Sequence, residues 1–537
     1  MKTARLLWNA YKYFPYERDF ANREVAKLLG RTPKHVSGGL EAEDTADDAL
    51  LSFQRLTYFS EIVLADGRVV IPDQARLEAS VVGNSTRAIE GASRKVARQS
   101  TRYSAHGIHE YRGKFNPQIV RAIGNMLDLP TDAWVLDPFC GSGTTLLECA
   151  HIGWNGIGIE LNPLGELIAN AKLEAFHTPS STLQKAVGEL TAELVRKTKG
   201  LDYDAEWTDG DIVALAGPGW RQKISNLAYV QKWFSEAVLA QFVVVLDSIE
   251  TLRYEQLRPV FKVILSDLVR IVSMQDPGDL RIRRRKDPKD NWPLVPMFIK
   301  STSSKIENII RAQGAVPRKA GYQKAFLVDS RGGLEWAQDV LRQNGKERFD
   351  AAITSPPYAT ALPYADTHRL SLTLFGLIES GDVMRLDRGL IGTREIVDKE
   401  RHKIEELIRD PRGSDLPGSV LDLCQQMLRL ASRPENGFRR RNMPALTYQY
   451  FTDMARVFRR VRSVIRRGGC FALVVGRNRS LLGGKSVLID TPKLLLDVAF
   501  STGWRPSMRI ELNTYQRFDV HQRNSIRNEC LIVARSP

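Results

Sequence analysis

Trp134–Glu160 reads WVLDPFCGSGTTLLECAHIGWNGIGIE. The apolar run Trp134-Val-Leu-Asp137 ends in an acid, a glycine-rich turn follows, a helix is expected from Thr144 through Ala150, and Asn155–Glu160 is a second strand. Strand, glycine loop, helix and strand in this order make a parallel βαβ unit. Gly141 and Gly143 allow a sharp turn and a close approach of backbone to a ligand, and the helix behind them presents unpaired N–H groups. The spacing is neither the dinucleotide fingerprint nor the phosphate loop that ends in Gly-Lys-Ser/Thr. Glu160 closes the second strand about twenty residues on, where an acid can accept hydrogen bonds from both hydroxyls of a ribose.

Further strands follow at a distance: Ala325–Asp329 (AFLVD), Phe349–Thr354 (FDAAIT), Gly469–Gly476 (GCFALVVG), Met508–Leu512 and Cys530–Val533. The pattern predicts a seven-stranded α/β sheet. Its core comprises residues 106–163, 321–358 and 468–537, and it is interrupted by helical insertions at 164–320 and 359–467. Ligands of such sheets bind at the carboxyl ends of the strands, beside the topological switch point. Asp137, Glu160, Asp329 and Thr354–Tyr358 should therefore converge. Leu227–Ile271 carries periodic apolar positions, as a helical insertion packed on itself would. Residues 1–105 form a separate N-terminal region. Within it Ala26, Gly30 and Val36 of Asn22–Leu40 (NREVAKLLGRTPKHVSGGL) fit a helix-turn-helix; the same residues also fit a single amphipathic helix with a glycine cap at Gly30.

Lysine and arginine total 77 against 62 acids, a formal charge of +15. That balance favours polyanionic partners, because neutralising phosphates releases counterions. Two basic runs, Arg281–Lys286 and Phe438–Asn442, are candidate phosphate contacts, one in each helical insertion, and the sequence leaves open which insertion reads a nucleic acid. No apolar run approaches the roughly 18 residues of a spanning helix; Ala237–Leu246 is short and followed by charge. The opening MKTARLLWNAYKYF turns polar too early for a secretory segment, so a cytoplasmic protein is expected. Cys140, Cys149, Cys424, Cys470 and Cys530 show no CxxC spacing, which predicts free thiols. His106 and His109 lack further ligands nearby, and no metal is expected.

Thr354-Ser-Pro-Pro-Tyr358 directly follows a buried strand. Two prolines and an aromatic there make a rigid bend. Ser355 and the Pro356 carbonyl can accept hydrogen bonds from an NH₂ group, and Tyr358 can stack on a base taken out of the helix. An exocyclic amine is a poor nucleophile because its lone pair conjugates with the ring, so a site of this kind must localise that pair and hold it in line. Attack by a thiolate on cytosine C6 would need a Pro-Cys pair, and the chain has none.

The string DPFCGSGTT resembles the cofactor loop of the amino-methylating DNA methyltransferases, and TSPPY resembles their (D/N/S)PPY catalytic signature. Ile108–Pro117 (IHEYRGKFNP) is similar to the segment that precedes the cofactor loop in the same family. The resemblance covers about 106–163, 321–358 and 468–535. It implies a Rossmann-like, S-adenosylmethionine-dependent fold with double-stranded DNA as partner and a flipped target base. It further implies cofactor contacts at Lys114, Phe115, Asp137, Pro138, Phe139, Gly141, Gly143, Thr144, Thr145, Glu160, Leu161, Asn162, Asp329 (to the adenine ring) and Ser330. Catalysis would fall to Ser355, Pro356, Pro357 and Tyr358. Serine at the first position resembles the cytosine-N4 subgroup. Adenine-N6 methylation, methylation of an RNA amino group and an inactive DNA-binding fold are the other readings, and restriction–modification or phage defence is the expected setting. One departure from the family is the long insertion between the second and third strands rather than just before the catalytic loop.

Overall fold

Alternation of side chains builds a sheet buried on both faces. A computed structural model of the chain describes residues 3–43, 49–81, 99–111, 113–276, 278–279, 281–287, 291–359, 364–513 and 528–537. Its N-terminal strands are β1 (Thr3–Trp8), β2 (Lys34–Val36), β3 (Gly39–Glu43), β4 (Phe59–Val63) and β5 (Val69–Val70). The main sheet contains β6 (Trp134–Asp137), β7 (Asn155–Glu160), β8 (Gln323–Leu327), β9 (Phe349–Thr354) and β10 (Ile465–Gly476). A hairpin of β11 (Asn478–Leu482) and β12 (Lys485–Ile489) precedes β13 (Arg505–Asn513) and β14 (Asn528–Arg535).

The main sheet has the order β13-β14-β10-β9-β6-β7-β8. Pairs β10/β9, β9/β6, β6/β7 and β7/β8 are parallel, and β14 runs antiparallel to both β10 and β13. From β6 the chain moves outward to β7 and β8, then returns to the other side of β6 as β9. The connections therefore diverge between β6 and β9, which opens a crevice at their carboxyl ends. Val135, Ala351, Ile353, Ala472, Val474, Leu531 and Val533 face one core, shared with Ile119, Val120 and Ile123 of the helix Pro117–Met126. Leu136, Ala352, Phe471, Leu473 and Ile532 face the other, covered by Phe438–Val464 and Thr491–Ser501. This period of two with both faces apolar is what a central parallel sheet requires.

Between β7 and β8 the described residues form helices and no named strand, including Pro163–His177, Glu236–Glu250, Arg258–Val272 and Leu294–Ala315. Among the described residues no helix is long and apolar enough to cross a membrane.

Two expectations need correction. The helix-turn-helix at 22–40 is not formed. The helix Pro15–Leu28 ends and Gly30 turns at φ +69°, but 34–43 is the β2–β3 hairpin, part of a five-stranded antiparallel sheet of order β2-β3-β1-β4-β5. Pro33 cannot donate to a helix and keeps Thr32 out of the helical region. Gly39 lies so close to β1 that a Cβ would sit 2.0 Å from the Leu6 carbonyl oxygen. The third core strand ends at Leu327 rather than at Asp329, because the Asp329 carboxylate accepts the Arg331 N–H at 2.9 Å and turns the chain. The β11–β12 hairpin was not foreseen.

Candidate active site

The glycine loop owes its shape to two left-handed residues. Gly141 has φ +50° and Gly143 φ +73°. A Cβ on Gly143 would meet Ala169 Cβ at 2.7 Å, so the loop is pressed onto the following helix there. At Gly141 the added atom would meet only Tyr111 at 3.5 Å and Glu160 at 4.0 Å, which leaves the backbone open to a ligand. Glu160 holds this loop to the end of β7. Its Oε2 accepts the Gly141 N–H at 2.8 Å, and its Oε1 accepts Leu161 and Asn162 at 2.9 and 2.8 Å. Burial pushes the Glu160 carboxyl up to about 7 despite these donors.

A cavity of about 280 Å³ opens above this loop, near the lower end of the roughly 300–1,000 Å³ common for ligand sites. Lys114, Phe115, Pro138, Phe139, Gly141, Glu160, Leu161, Asn162, Asp329, Ser330 and Ser355–Tyr358 all line it. Asp137, Gly143, Thr144 and Thr145 do not. Asp137 and Thr144 line an adjoining space of about 30 Å³, and Gly143 and Thr145 line neither cavity. Asp137, 2% exposed, instead accepts Thr354 Oγ1 at 2.6 Å and the Phe139 N–H at 3.0 Å. It thereby joins the ends of β6 and β9, and burial raises its carboxyl to about 6.

Lys114 also departs from a simple contact. Its Nζ donates to the carbonyls of Thr101 and His106 at 2.9 and 3.0 Å, pinning that segment beside the cavity. Burial, aided by nearby Arg102, lowers its amine to about 7. Asp329 is held by Arg331, whose Nε donates to Oδ1 at 2.9 Å and whose Nη2 donates to Oδ2 at 2.6 Å. Arg331 reaches Asp453 and the Gly389 carbonyl as well, at 3.1 and 2.7 Å. Burial opposes ionisation of Asp329, but its hydrogen bonds to Arg331 win and hold the carboxyl below its usual range.

On the catalytic-loop side, Ser355 Oγ donates to the Val474 carbonyl at 3.1 Å. Its single proton is therefore committed to β10, and toward the cavity the oxygen can only accept. Tyr358 donates its hydroxyl to Glu529 Oε1, while Asn478 Nδ2 donates to the Ala359 carbonyl at 2.6 Å. The segment around Leu390 and Ile391 closes the far wall. A Cβ on neighbouring Gly392 would lie 2.7 Å from the Tyr358 carbonyl oxygen.

Sequence reasoning missed Tyr111, Asn116, Arg331, Leu390, Ile391, Val474 and Glu529 as lining residues. The first three lie inside or beside motifs already singled out. Val474 lies in the strand Gly469–Gly476, whose part in the cavity has no local signal, and Leu390, Ile391 and Glu529 come from distant stretches outside any motif.

His106, Glu148 and His151 bring three ligand-type atoms within 4.8 Å of one another. Glu148 Oε1, however, already accepts from Tyr103 at 2.8 Å and contacts His106 Nε2 and His151 Nδ1 at 2.9 and 3.0 Å. Arg121 Nε approaches Oε2 at 3.2 Å. This buried group is a charge-compensated hub that secures the segment before the cavity.

The chain is similar to known proteins. The model of a family described as DNA methylase, of the N6 and N4 type, matches residues 91–170. The Type II methyltransferase M.MjaII of Methanocaldococcus jannaschii is 24% identical over 361 residues, which is 54% of this chain and 64% of that protein. M.MvaI of Kocuria varians is 23% identical over 55% of this chain and 63% of its own length. M.AvaI of a Nostoc species is 23% identical over 80% of this chain and 86% of its own. The chain thus matches under two thirds of the length of the first two of these relatives.

Proposed function

We propose that this chain, which is similar to amino-methylating DNA methyltransferases, methylates the N4 amino group of cytosine in double-stranded DNA, with S-adenosylmethionine as donor. The choice of cytosine rests on the TSPPY resemblance, and the observation that supports transfer to an exocyclic amine is Ser355. Its proton is bound to the Val474 carbonyl, so it meets an incoming NH₂ group as an acceptor only. An amine whose hydrogens are held by Ser355 and the Pro356 carbonyl presents its lone pair in one direction.

The cavity suits the methyl donor. Gly141 leaves backbone room that a side chain would fill, and among the described residues Glu160 Oε2 accepts a single hydrogen bond, which leaves a lone pair for a ribose hydroxyl. When bound, the donor supplies an electrophilic methyl group. Phe115, Phe139 and Ile159 form apolar wall around it and exclude water. Tyr358, its hydroxyl tethered to Glu529, would stack on the flipped base. The proton leaves after transfer, when the methylated nitrogen has become acidic, so no ionised general base is required. The relatives' designation as Type II methyltransferases favours a restriction–modification setting.

Nucleoside mass spectrometry of DNA incubated with the protein and S-adenosylmethionine tests the reading, and 4-methylcytosine is expected. Only 6-methyladenine would move the target to adenine, and transfer to RNA but not DNA would overturn the substrate. Ser355→Ala and Tyr358→Ala should each abolish transfer while calorimetric binding of S-adenosylhomocysteine persists. Loss of one base–aromatic stack is worth about 1–3 kcal/mol, so Tyr358→Ala should also weaken DNA binding.

A further inference from the structure

We infer that the β11–β12 ribbon and the arginines that open the helix Phe438–Val464 form the surface that docks double-stranded DNA. The inference rests on reading the cavity as a DNA-methylating site. The ribbon continues directly from β10, whose Val474 carbonyl holds Ser355. Its first residue, Asn478, is bonded to the Ala359 carbonyl, one residue beyond Tyr358. The root of the ribbon is therefore fixed to the catalytic loop.

The two strands pair antiparallel from Asn478↔Ile489 to Leu482↔Lys485. Gly483 and Gly484 turn them at φ +52° and +73°, the positive pair that a two-residue hairpin loop requires. Ser480, Leu482, Val487 and Ile489 are buried, on the side that packs on Gly418–Ala431 and Phe438–Val464. The other face exposes Arg479, Leu481, Ser486 and Leu488, with both leucines 48% exposed, and Lys485, which pairs with Leu482 beside the turn, is exposed at the ribbon's tip. Neither cation makes an ion pair among the described residues. A two-stranded ribbon has the width to enter a DNA major groove. Arg479 on that face and Lys485 at the tip suit phosphates and guanine edges, and the leucines suit thymine methyls.

The far end of the ribbon is locked to a second basic element. The Gly483 N–H donates to Asn436 Oδ1 at 3.0 Å, and Arg433 Nη1 donates to the Gly483 carbonyl at 3.2 Å. Asn436 stands just before Phe438, which is 64% exposed, and Arg439, Arg440 and Arg441. Arg441 gives its Nε–H to the Asn436 carbonyl at 3.0 Å. Arg439 and Arg440 make no ion pair among the described residues. One basic strip thus runs from the catalytic loop, along the ribbon, to these arginines.

In the competing run at 281–286, three of the five cations are engaged internally. Arg285 donates to the carbonyls of Gln275 and Ile271 at 3.1 and 2.9 Å, Arg284 donates to the Lys232 carbonyl, and Arg283 pairs with Asp279 at 3.2 Å.

The test is fluorescence anisotropy of a labelled DNA duplex with the full chain across a salt series, beside calorimetric binding of S-adenosylhomocysteine. Each lost phosphate contact removes about 0.9 from the slope of log affinity against log salt. Arg479→Ala/Lys485→Ala and Arg439→Ala/Arg440→Ala should therefore each flatten the slope by about 1.8, with cofactor-product binding unchanged. Arg439→Lys/Arg440→Lys should restore the slope, because the charge returns, and Arg283→Ala should leave it as in the wild type. Wild-type slopes in both alanine doubles would overturn the ribbon assignment while leaving the methylation reading intact. Normal duplex binding by a wild-type chain that methylates no DNA base would instead overturn the methylation reading, and the slopes would still decide the ribbon. A wild-type chain that binds no duplex overturns both.

Discussion

At the scale of the residue, Glu160 joins loop geometry to pH. Its carboxyl titrates at about 7, above the ordinary 4.5, because burial penalises the charge more than three backbone N–H donors favour it. Between pH 4.5 and 7 the folded chain keeps a proton that the unfolded chain has lost. This group therefore lowers stability as pH rises through that window. Ligand binding has the opposite sign, because ribose hydroxyls donate to the ionised form. Affinity for S-adenosylhomocysteine should rise with pH until about 7 and fall about tenfold per unit below it. Calorimetry at several pH values checks this. Glu160→Gln should bind weakly and lose the pH dependence, whereas the same profile in that variant would assign the titration to another group.

At the scale of the element, the ends of β6 and β9 are held together at the switch point by a side-chain bond. Thr354 Oγ1 and Asp137 Oδ1 are 2.6 Å apart, and both residues are buried. This bond sets where the glycine loop stands against the Ser355–Tyr358 turn. Thr354→Val keeps the shape and removes the donor. A buried carboxylate deprived of a donor costs about 1–3 kcal/mol, so the denaturation midpoint should fall accordingly, and transfer should slow as the two loops lose register. Unchanged stability and rate would mean that the strand pairing alone sets the geometry. The same scale explains why four residues named from the loop motif stand outside the main cavity. Asp137, Gly143, Thr144 and Thr145 build the turn and its helix, and the loop then presents its backbone and Phe139 to the space above.

At the scale of the whole molecule, the N-terminal sheet and the main sheet share a core. Leu6, Phe20, Val25, Phe53 and Phe59 belong to one apolar cluster with Ile123, Val135, Ile353 and Leu531. Polar ties cross the same boundary. Buried Glu24 accepts from Asn125 Nδ2 at 3.3 Å, and Arg55 donates to the Leu129 carbonyl at 2.9 Å. Each large apolar side chain buried here contributes about 1.5–3 kcal/mol, so a chain lacking residues 1–81 should aggregate or fail to bind S-adenosylhomocysteine. Solubility and calorimetry of the truncated chain check this, and a soluble, binding-competent fragment would show that residues 1–81 are dispensable to the core. This region supports the catalytic sheet, and the exposed basic strip lies on other elements.

The amino-acid sequence by itself determined the local pieces. The run Trp134–Glu160 prescribes strand, glycine turn, helix and strand, because φ-permissive glycines and alternating apolar residues act over a few positions. The strands at 349–354, 469–476 and 530–533 are equally legible, since burial on both faces leaves an unbroken apolar run. The tertiary structure alone decided which distant groups meet. Glu529 reaches Tyr358, Val474 takes the proton of Ser355, and Arg331 reaches Asp453. The ribbon's alternation was present in Asn478–Ile489, yet its short strands acquire meaning only where their buried face finds the helices Gly418–Ala431 and Phe438–Val464. Hydrogen bonds between residues more than a hundred positions apart leave no periodic trace in the chain, because sheet topology, rather than local conformational preference, brings the partners together.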